Sequence, residues 1–573
     1  MTRRTHQRRT PPAPSPSPAL ASDIVRFPWR GVLVVIVVGA ALLRLVGLGH
    51  APPGLNQDEA ANAWNAYCLL QTGKDQAGVP WPIFYTRCLG ENRSTLFIYI
   101  LLPFQALAGL SVWTTRLPSA LGGVITVALT YVVGARMFGR TPGLVAAALL
   151  TLNPWHLQQS RWGHEAALCP LLVVLPLALM LRADLPFDDG PNRRPSAAWA
   201  VLGGAIAGIG CYGYPAVRLF LPIFFALAVL VNGRRWWEHL KTPRGRMAIG
   251  TLAIGIAVTF GPLAFKHLTD PEIGKRGRTT QLWEDQDPLG TKITKVLARY
   301  PGHFGPDFLF INGDRYEIQS PPGFGQFHWY MAPLMILGLI TTVWRLRSSG
   351  AARILLVWLV TYPVGDLLGT HFYGSMHALR SLPGLCGLIL LGAVGAVEAG
   401  AWLWKRSRPV ALVSGAIAAV VVMVLNIRFL HYFFGAYNDR PTIYHGYHVD
   451  LLQACDWLRP RLDPIDAVFC TTAGMNMPYV VSLVRLGYDP RQWCQDVREI
   501  HTIGPWDVYT RYGKVSFMYG QYWLPALNAL TQNGRPDRAI FIVRPGQLKL
   551  PNPVHRITGP EGTVPLWVFE QTL

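Results

Sequence analysis

Windows of roughly seventeen to twenty residues almost free of charge recur along the first three quarters of this sequence, each long enough to cross a hydrocarbon core about 30 Å thick. A chain of 573 residues that is 51% hydrophobic, 15% charged and has a mean hydropathy of +0.25 holds more apolar surface than one soluble core would bury. The first reading is therefore an α-helical multi-pass membrane protein. From about Leu430 the pattern changes. Polar residues, turn formers and short apolar runs alternate as in a soluble α/β domain, with 467–472 and 539–543 reading as buried strands, and no further window spans a bilayer. Three regions result: an arm over 1–30, a membrane domain over 31–429 and a soluble α/β domain over 430–573.

The net charge of +20 would suit nucleic acid, but in a membrane chain the placement of basic residues matters more than their sum. They sit mainly in short loops, which argues against a nucleic-acid partner. With the Pro/Ser-rich arm and its Arg3, Arg4, Arg8 and Arg9 taken as cytoplasmic, 31–49 runs outward. Further crossings then alternate so that Arg136 and Arg140, Arg182 to Arg194, Arg234 to Arg246, Arg345 and Arg347, and Lys405 to Arg408 all face inward. About eleven spans follow. The first outer loop is 50–116, a second is 266–328, and the C-terminal domain lies outside a plasma or inner membrane. The stretch 95–112 does not fit this alternation unless it is embedded without crossing. If it crosses instead, the later helices flip and the basic loops face outward, against the charge bias. No small-residue cleavage site follows the first span as a signal peptide requires. Cys68 and Cys88 share the first outer loop and could pair in an oxidising compartment, without metal-ligand spacing.

Unusual charges cluster at the outer membrane ends. Asp58 and Glu59 adjoin in Asn56-Gln57-Asp58-Glu59-Ala60, a pairing suited to a general base beside a substrate or metal ligand. Asp58 as the N-cap of a helix over 60–70 is the plainer alternative. Arg116 opens the second span in Thr-Arg-Leu-Pro-Ser-Ala. Arg161, His164 and Glu165 follow the third, Tyr214 to Arg218 follow the fifth, and His371 to Arg380 follow the ninth. Outer arginines run against the inside bias, and an anionic phosphate head group at bilayer depth suits their fork of donors. Snorkelling of Arg44, Arg116, Arg161, Arg218 and Arg380 to lipid phosphates is the competing explanation. Glu91 adds a carboxylate to the same face, and Asp366 lies in the apolar approach to His371, free to pair with an arginine. The glycines of 203–208 suit close helix packing.

Taken in order, these residues resemble the GT-C superfamily, in its branch of protein O-mannosyltransferases and aminoarabinose lipid A transferases. A cytoplasmic N-terminus, one helix, an outer loop with an Asp-Glu pair like Asp58 and Glu59, an embedded segment, and an arginine in an Arg-Leu-Pro-Ser-Ala-like stretch at 116–120 all match. Ser160, Arg161 and Glu165 resemble the family's Ser-Arg and following acid, which in mannosyltransferases is usually Asp one position later. Tyr214 and Arg218 match a Tyr-x-x-x-Arg turn. Arg380-Ser381-Leu382-Pro383 lacks the tyrosine of the late family pattern. The resemblance covers about residues 30 to 430 and implies a polyprenyl-phosphate sugar donor and a hydroxyl acceptor on protein, lipid or cell-envelope glycan, amid membrane lipids. Asp58 is then the base, with Glu59 and Glu165 beside it. Arg116, Arg161, Arg218 and Arg380 would neutralise the departing phosphate. Glu91, His164, Tyr214 and His371 would complete the substrate site. Glu59, Glu91 and Glu165 could orient sugar hydroxyls, bind a divalent ion or hold the arginines. No obligatory metal is expected, and Mg or Mn stays open. A polyprenyl-diphosphate-dependent polymerase or ligase and a transporter of anionic or lipid-linked substrates are the rival classes.

Overall fold

The computed structural model describes residues 28–189, 194–371, 374, 376–504, 506–532 and 537–572; residues 1–27 of the arm lie outside these. Every membrane-length apolar stretch read from the sequence is largely helical. The first part of the chain runs α1 (Trp29–Leu45), α2 (Gln57–Thr72), α3 (Leu96–Ala108), α4 (Val112–Phe138), α5 (Arg140–Leu152), α6 (Pro154–Gln159), α7 (Cys169–Arg182), α8 (Ala197–Gly210), α9 (Pro215–Val231), α10 (Gly233–Leu240) and α11 (Pro243–Thr269). Helices Met331–Trp344, Gly350–Thr361, Leu385–Arg406 and Arg408–Phe434 complete the apolar set.

Among the described residues, six helices are long and apolar enough to cross a membrane, or seven if α9 and α10, bent by 78°, count as one span. That is fewer than the about eleven expected, and helix-breaking chemistry accounts for part of the difference. α5 stops at Asn153-Pro154, where the Asn153 side chain accepts the His156 N–H and starts α6. α8 runs out at Gly210, ahead of Gly213 and Pro215. The 13 residues of α3 reach only about 20 Å, too short to cross. α8 and α11 pack so closely that a Cβ at Gly204 would collide with the Leu252 carbonyl and one at Gly255 with that of Val201. The Gly-rich run is thus a packing surface.

Outside the helices stand a hairpin of β1 (Thr86–Cys88) and β2 (Glu91–Arg93), and a seven-stranded mixed sheet. The sheet comprises β3 (Ala467–Cys470), β4 (Arg498–Ile503), β5 (Trp506–Tyr512), β6 (Val515–Phe517), β7 (Arg538–Val543), β8 (His555–Ile557) and β9 (Leu566–Thr572), ordered β4-β5-β6-β3-β7-β9-β8. Its centre, β6-β3-β7, is parallel, with Ala467 opposite Ala539, and the outer pairs are antiparallel. β3 is buried along its whole length and reads as a continuous apolar run, which is why β3 and β7 are the strands visible in the sequence.

The core of this domain continues into the loop 50–116. Leu55, Ala60, Ala61, Trp64 and Cys68 pack with Leu451, Tyr479, Trp493 and Phe517 in one cluster. Trp64 and Trp493 meet edge to face at 5.9 Å, and the Trp493 indole N–H donates to the Gln76 carbonyl at 2.9 Å. The sheet domain therefore holds α2, whose first turn carries Asp58. Trp493→Ala is expected to cost about 3–5 kcal/mol of stability, seen as a lowered midpoint in thermal or denaturant unfolding. Cys68 and Cys88 are buried, unpaired thiols, and burial pushes Cys88 up to about 12.

Candidate active site

α2 begins at Gln57, and its N-cap is Asn56. The Asn56 side chain accepts the Asp58 N–H at 3.0 Å while Glu59 Oε2 accepts the Asn56 N–H at 3.1 Å, a reciprocal capping box. The alternative of Asp58 as cap of a helix from Ala60 is corrected: Asn56 takes that role and leaves the Asp58 carboxylate to pair with Arg93.

Glu59 goes the other way. It is wholly buried, forms a two-pronged pair with Arg116 at 2.7 and 2.8 Å, and accepts the Gly163 N–H at 2.8 Å. Arg116 spends its remaining donors on the carbonyls of Leu48 (3.2 Å), Pro52 (2.7 Å) and Gly54 (3.0 Å). Gly54 has φ +59, and a Cβ there would collide with the Tyr447 carbonyl, so the loop closes against the C-terminal domain where only glycine fits. Glu59, expected to be catalytic, is thus enclosed, and Arg116, expected on phosphate, has its donors engaged by Glu59 and these carbonyls. Arg161 is likewise turned inward, onto the carbonyls of Ala51 (2.9 Å) and Leu43 (2.9 Å) and over the Phe434 ring. Leu43 lies in the last turn of α1, whose carbonyls have no helical partner, and that need draws the guanidinium inward. Arg44 is also fully buried, so neither snorkels to lipid.

The side chains that remain form a chain of contacts. Arg93, at the end of β2, is ion-paired with Asp58 and, at 2.8 and 2.9 Å, with both oxygens of Glu165; its NH2 also lies 3.4 Å from His164 Nε2. Glu165 accepts a further bond from Asn62 of α2 at 3.1 Å, and His164 Nδ1 accepts the Ala166 N–H at 2.9 Å. The Tyr214 ring meets His164 edge to face at 5.7 Å, and four residues on Arg218 reaches Ser94 Oγ at 3.3 Å, His267 Nε2 at 3.1 Å and the Cys211 carbonyl at 2.9 Å. Among the described residues no carboxylate pairs with Arg218. Side-chain exposure separates the three acids: 21% for Asp58, 1% for Glu165, 0% for Glu59. Burial pushes the Asp58 carboxyl up, but the Arg93 charge, His164 and the Arg93 hydrogen bond outweigh it and hold it below the usual carboxylate range.

The other expected ligands lie apart from this chain. Glu91 lines a cleft of about 400 Å³ with Arg87, Lys275, Arg498 and Asp507, between the hairpin and the sheet domain. Arg380 donates to the Thr370 carbonyl at 3.0 Å and lies 3.6 Å from the buried Asp366, which Arg299 (2.7 Å) and His303 (3.1 Å) also hold. Its turn still abuts the start of α9, since a Cβ at Gly365 would crowd both the Arg380 carbonyl and Ala216. His371 stands 3.1 Å from Asp314, with His377 beside it, and these three are the described residues whose spacing suits a metal ion. Arg93 is the central residue that sequence reasoning missed. It stands two residues before the apolar run that begins at Thr95, so the criterion of a cation at the end of an apolar stretch would have found it.

A protein-family profile described as Dolichyl-phosphate-mannose-protein mannosyltransferase matches residues 92–261, a segment that includes Arg93, Arg116, Arg161, His164, Glu165, Tyr214 and Arg218. No curated protein matches the chain by sequence. Among solved structures, ArnT from Cupriavidus metallidurans in the apo state is 14% identical with a TM-score of 0.52, covering 94% of this chain and 98% of its own. The same protein bound to undecaprenyl phosphate gives 14%, 0.51 and the same coverage. An oligosaccharyltransferase from Archaeoglobus fulgidus, apo form, is 13% identical over 80% of this chain and 64% of its own, with a TM-score of 0.46. The ArnT likeness extends over nearly the whole chain, membrane helices and C-terminal sheet domain together, and the fold is of the GT-C type read from the sequence.

Proposed function

We propose that this chain moves a sugar from a polyprenyl-phosphate carrier to a hydroxyl group of a protein, lipid or cell-envelope glycan on the non-cytoplasmic side of the membrane, with inversion at the anomeric carbon. The observation that carries this is the Asp58 carboxylate, the most accessible of the three acids, held by Arg93, one residue along the chain from the Ser94 that contacts Arg218. Undecaprenyl phosphate bound to ArnT and the mannosyltransferase profile over 92–261 support the same donor class.

In the proposed step the acceptor oxygen attacks the anomeric carbon and the carbon–oxygen bond to phosphate breaks on the opposite face. The acceptor proton passes to Asp58, and the bonding pair leaves with polyprenyl phosphate. The acceptor hydroxyl becomes strongly acidic only as its new bond forms, so an ionised carboxylate of depressed basicity suffices. Arg218, without a carboxylate partner among the described residues, supplies charge to the leaving phosphate, and Arg380 approaches from the neighbouring turn. Arg93 and Glu165 orient Asp58; His164 and Tyr214 line the same wall. The scheme requires no Mg or Mn ion.

The test is transfer from synthetic polyprenyl-phosphate sugars by purified protein in lipid, scored as release of free polyprenyl phosphate. Arg218→Ala is expected to lower kcat about 10²–10³-fold without lowering the unfolding temperature. Wild-type turnover confined to diphosphate donors would overturn the proposal in favour of a polymerase or ligase.

A further inference from the structure

We infer that Asp314, His371 and His377 form a binding site for a zinc-class divalent cation that rivets the second outer loop to the turn carrying Arg380. The three residues offer one carboxylate oxygen and two imidazole nitrogens whose ligand atoms all lie within 4.8 Å of one another. His371 Nε2 is 3.1 Å from Asp314 Oδ1, His377 Nδ1 is 3.9 Å from Oδ2, and the two rings stand nearly perpendicular with centroids 4.7 Å apart. Bonds of about 2.0–2.2 Å in a tetrahedral shell put ligand atoms about 3.3–3.6 Å apart, so ring shifts of about 1 Å close the set on an ion and leave a fourth position for water.

The carboxylate is oriented in advance. Asp314 is buried; its Oδ1 accepts the Tyr316 N–H at 2.9 Å, its Oδ2 accepts the Ala378 N–H at 2.9 Å, and its own N–H donates to Ser320 Oγ at 3.0 Å. Backbone donors behind a ligating carboxylate are the usual outer support of a metal site. Two nitrogens and one oxygen favour zinc over magnesium or calcium, which prefer all-oxygen shells.

The placement indicates what the ion would do. The loop around Asp314 is tied to the end of α6, where Gln158 donates to the Ile318 carbonyl at 2.7 Å and Gln159 to that of Gln319 at 2.9 Å. His377 immediately precedes the Ala378–Ser381 helical turn that carries Arg380. An ion at the three residues joins these two segments beside α9.

Purified full-length protein in lipid is stripped with chelator, dialysed against zinc at low micromolar concentration, and assayed for bound metal by mass spectrometry and for unfolding temperature. Wild type is expected to retain about one zinc per chain and to melt higher with zinc than without. His377→Ala and His371→Gln are each expected to retain less than about a tenth of that and to melt at one temperature in both conditions. A variant whose zinc-free melt falls below that of stripped wild type is set aside in favour of the other. Wild type without retained zinc, equal retention in His371→Gln, or equal uptake of magnesium would each overturn the assignment. Because the readouts are metal content and melting, they hold whether or not sugar transfer is observed.

Discussion

Asp58→Asn is expected to lower kcat about 10²–10⁴-fold while the protein keeps its fold. Asparagine still offers Arg93 an oxygen, and Arg93 keeps both oxygens of Glu165, so no buried guanidinium loses its only carboxylate. What disappears is the capacity to take the acceptor proton. The pH dependence gives a second reading of the same residue. With its folded pKa held below the usual carboxylate range, Asp58 stays ionised through that range, so wild-type activity should persist as pH falls through about 4 and be lost only beneath it. Arg93→Gln removes the main cation opposing the burial of Asp58, and its acid limb should move to higher pH. The linked stability has the same sign: a depressed folded pKa stabilises the protein above the unfolded value, and that share is lost as pH falls through the folded one. Full activity in Asp58→Asn would remove this base and direct attention to Glu91, since Glu165 is closed off by Arg93 and Asn62.

Legibility in the sequence follows the range of the interactions involved. Apolar runs and the composition change near Leu430 are local, and they delivered the helices and the buried strands β3 and β7. The capping chemistry was local too, though Asn56 rather than Asp58 proved to be the cap. The arginines at the helix ends stand out as a set in the sequence, but whether a guanidinium meets a substrate or a neighbouring carbonyl depends on how loops fold over it. Arg116, Arg161, Arg218 and Arg380 look alike as outer cations in the sequence; the fold closes the first two and leaves the last two half-buried. The Asp314–His371–His377 group was invisible because Asp314 lies far along the chain from the two histidines and meets them only when two loops close together.

Arg116→Ala should therefore act on the fold before it acts on chemistry. Removing that side chain leaves Glu59 as a fully buried carboxylate with only the Gly163 and Asn56 N–H groups for company, and strips the Leu48, Pro52 and Gly54 carbonyls of their donors. Breaking one side of a buried pair in this way costs about 3–5 kcal/mol, enough to unfold a marginal domain. Arg116→Lys should recover little, because a single ammonium cannot reproduce the fork that spans Glu59 and three carbonyls. Glu59→Gln combined with Arg116→Ala should lose less than the sum of the single changes, since the isolated charge is then absent. Unfolding midpoints of these variants, with Glu59→Gln alone beside them, decide the matter. A stable Arg116→Ala protein with a raised KM for the lipid donor would return this arginine to the phosphate site, whereas a lowered midpoint partly rescued in the double variant identifies the pair as the clasp that sets Asp58 in place.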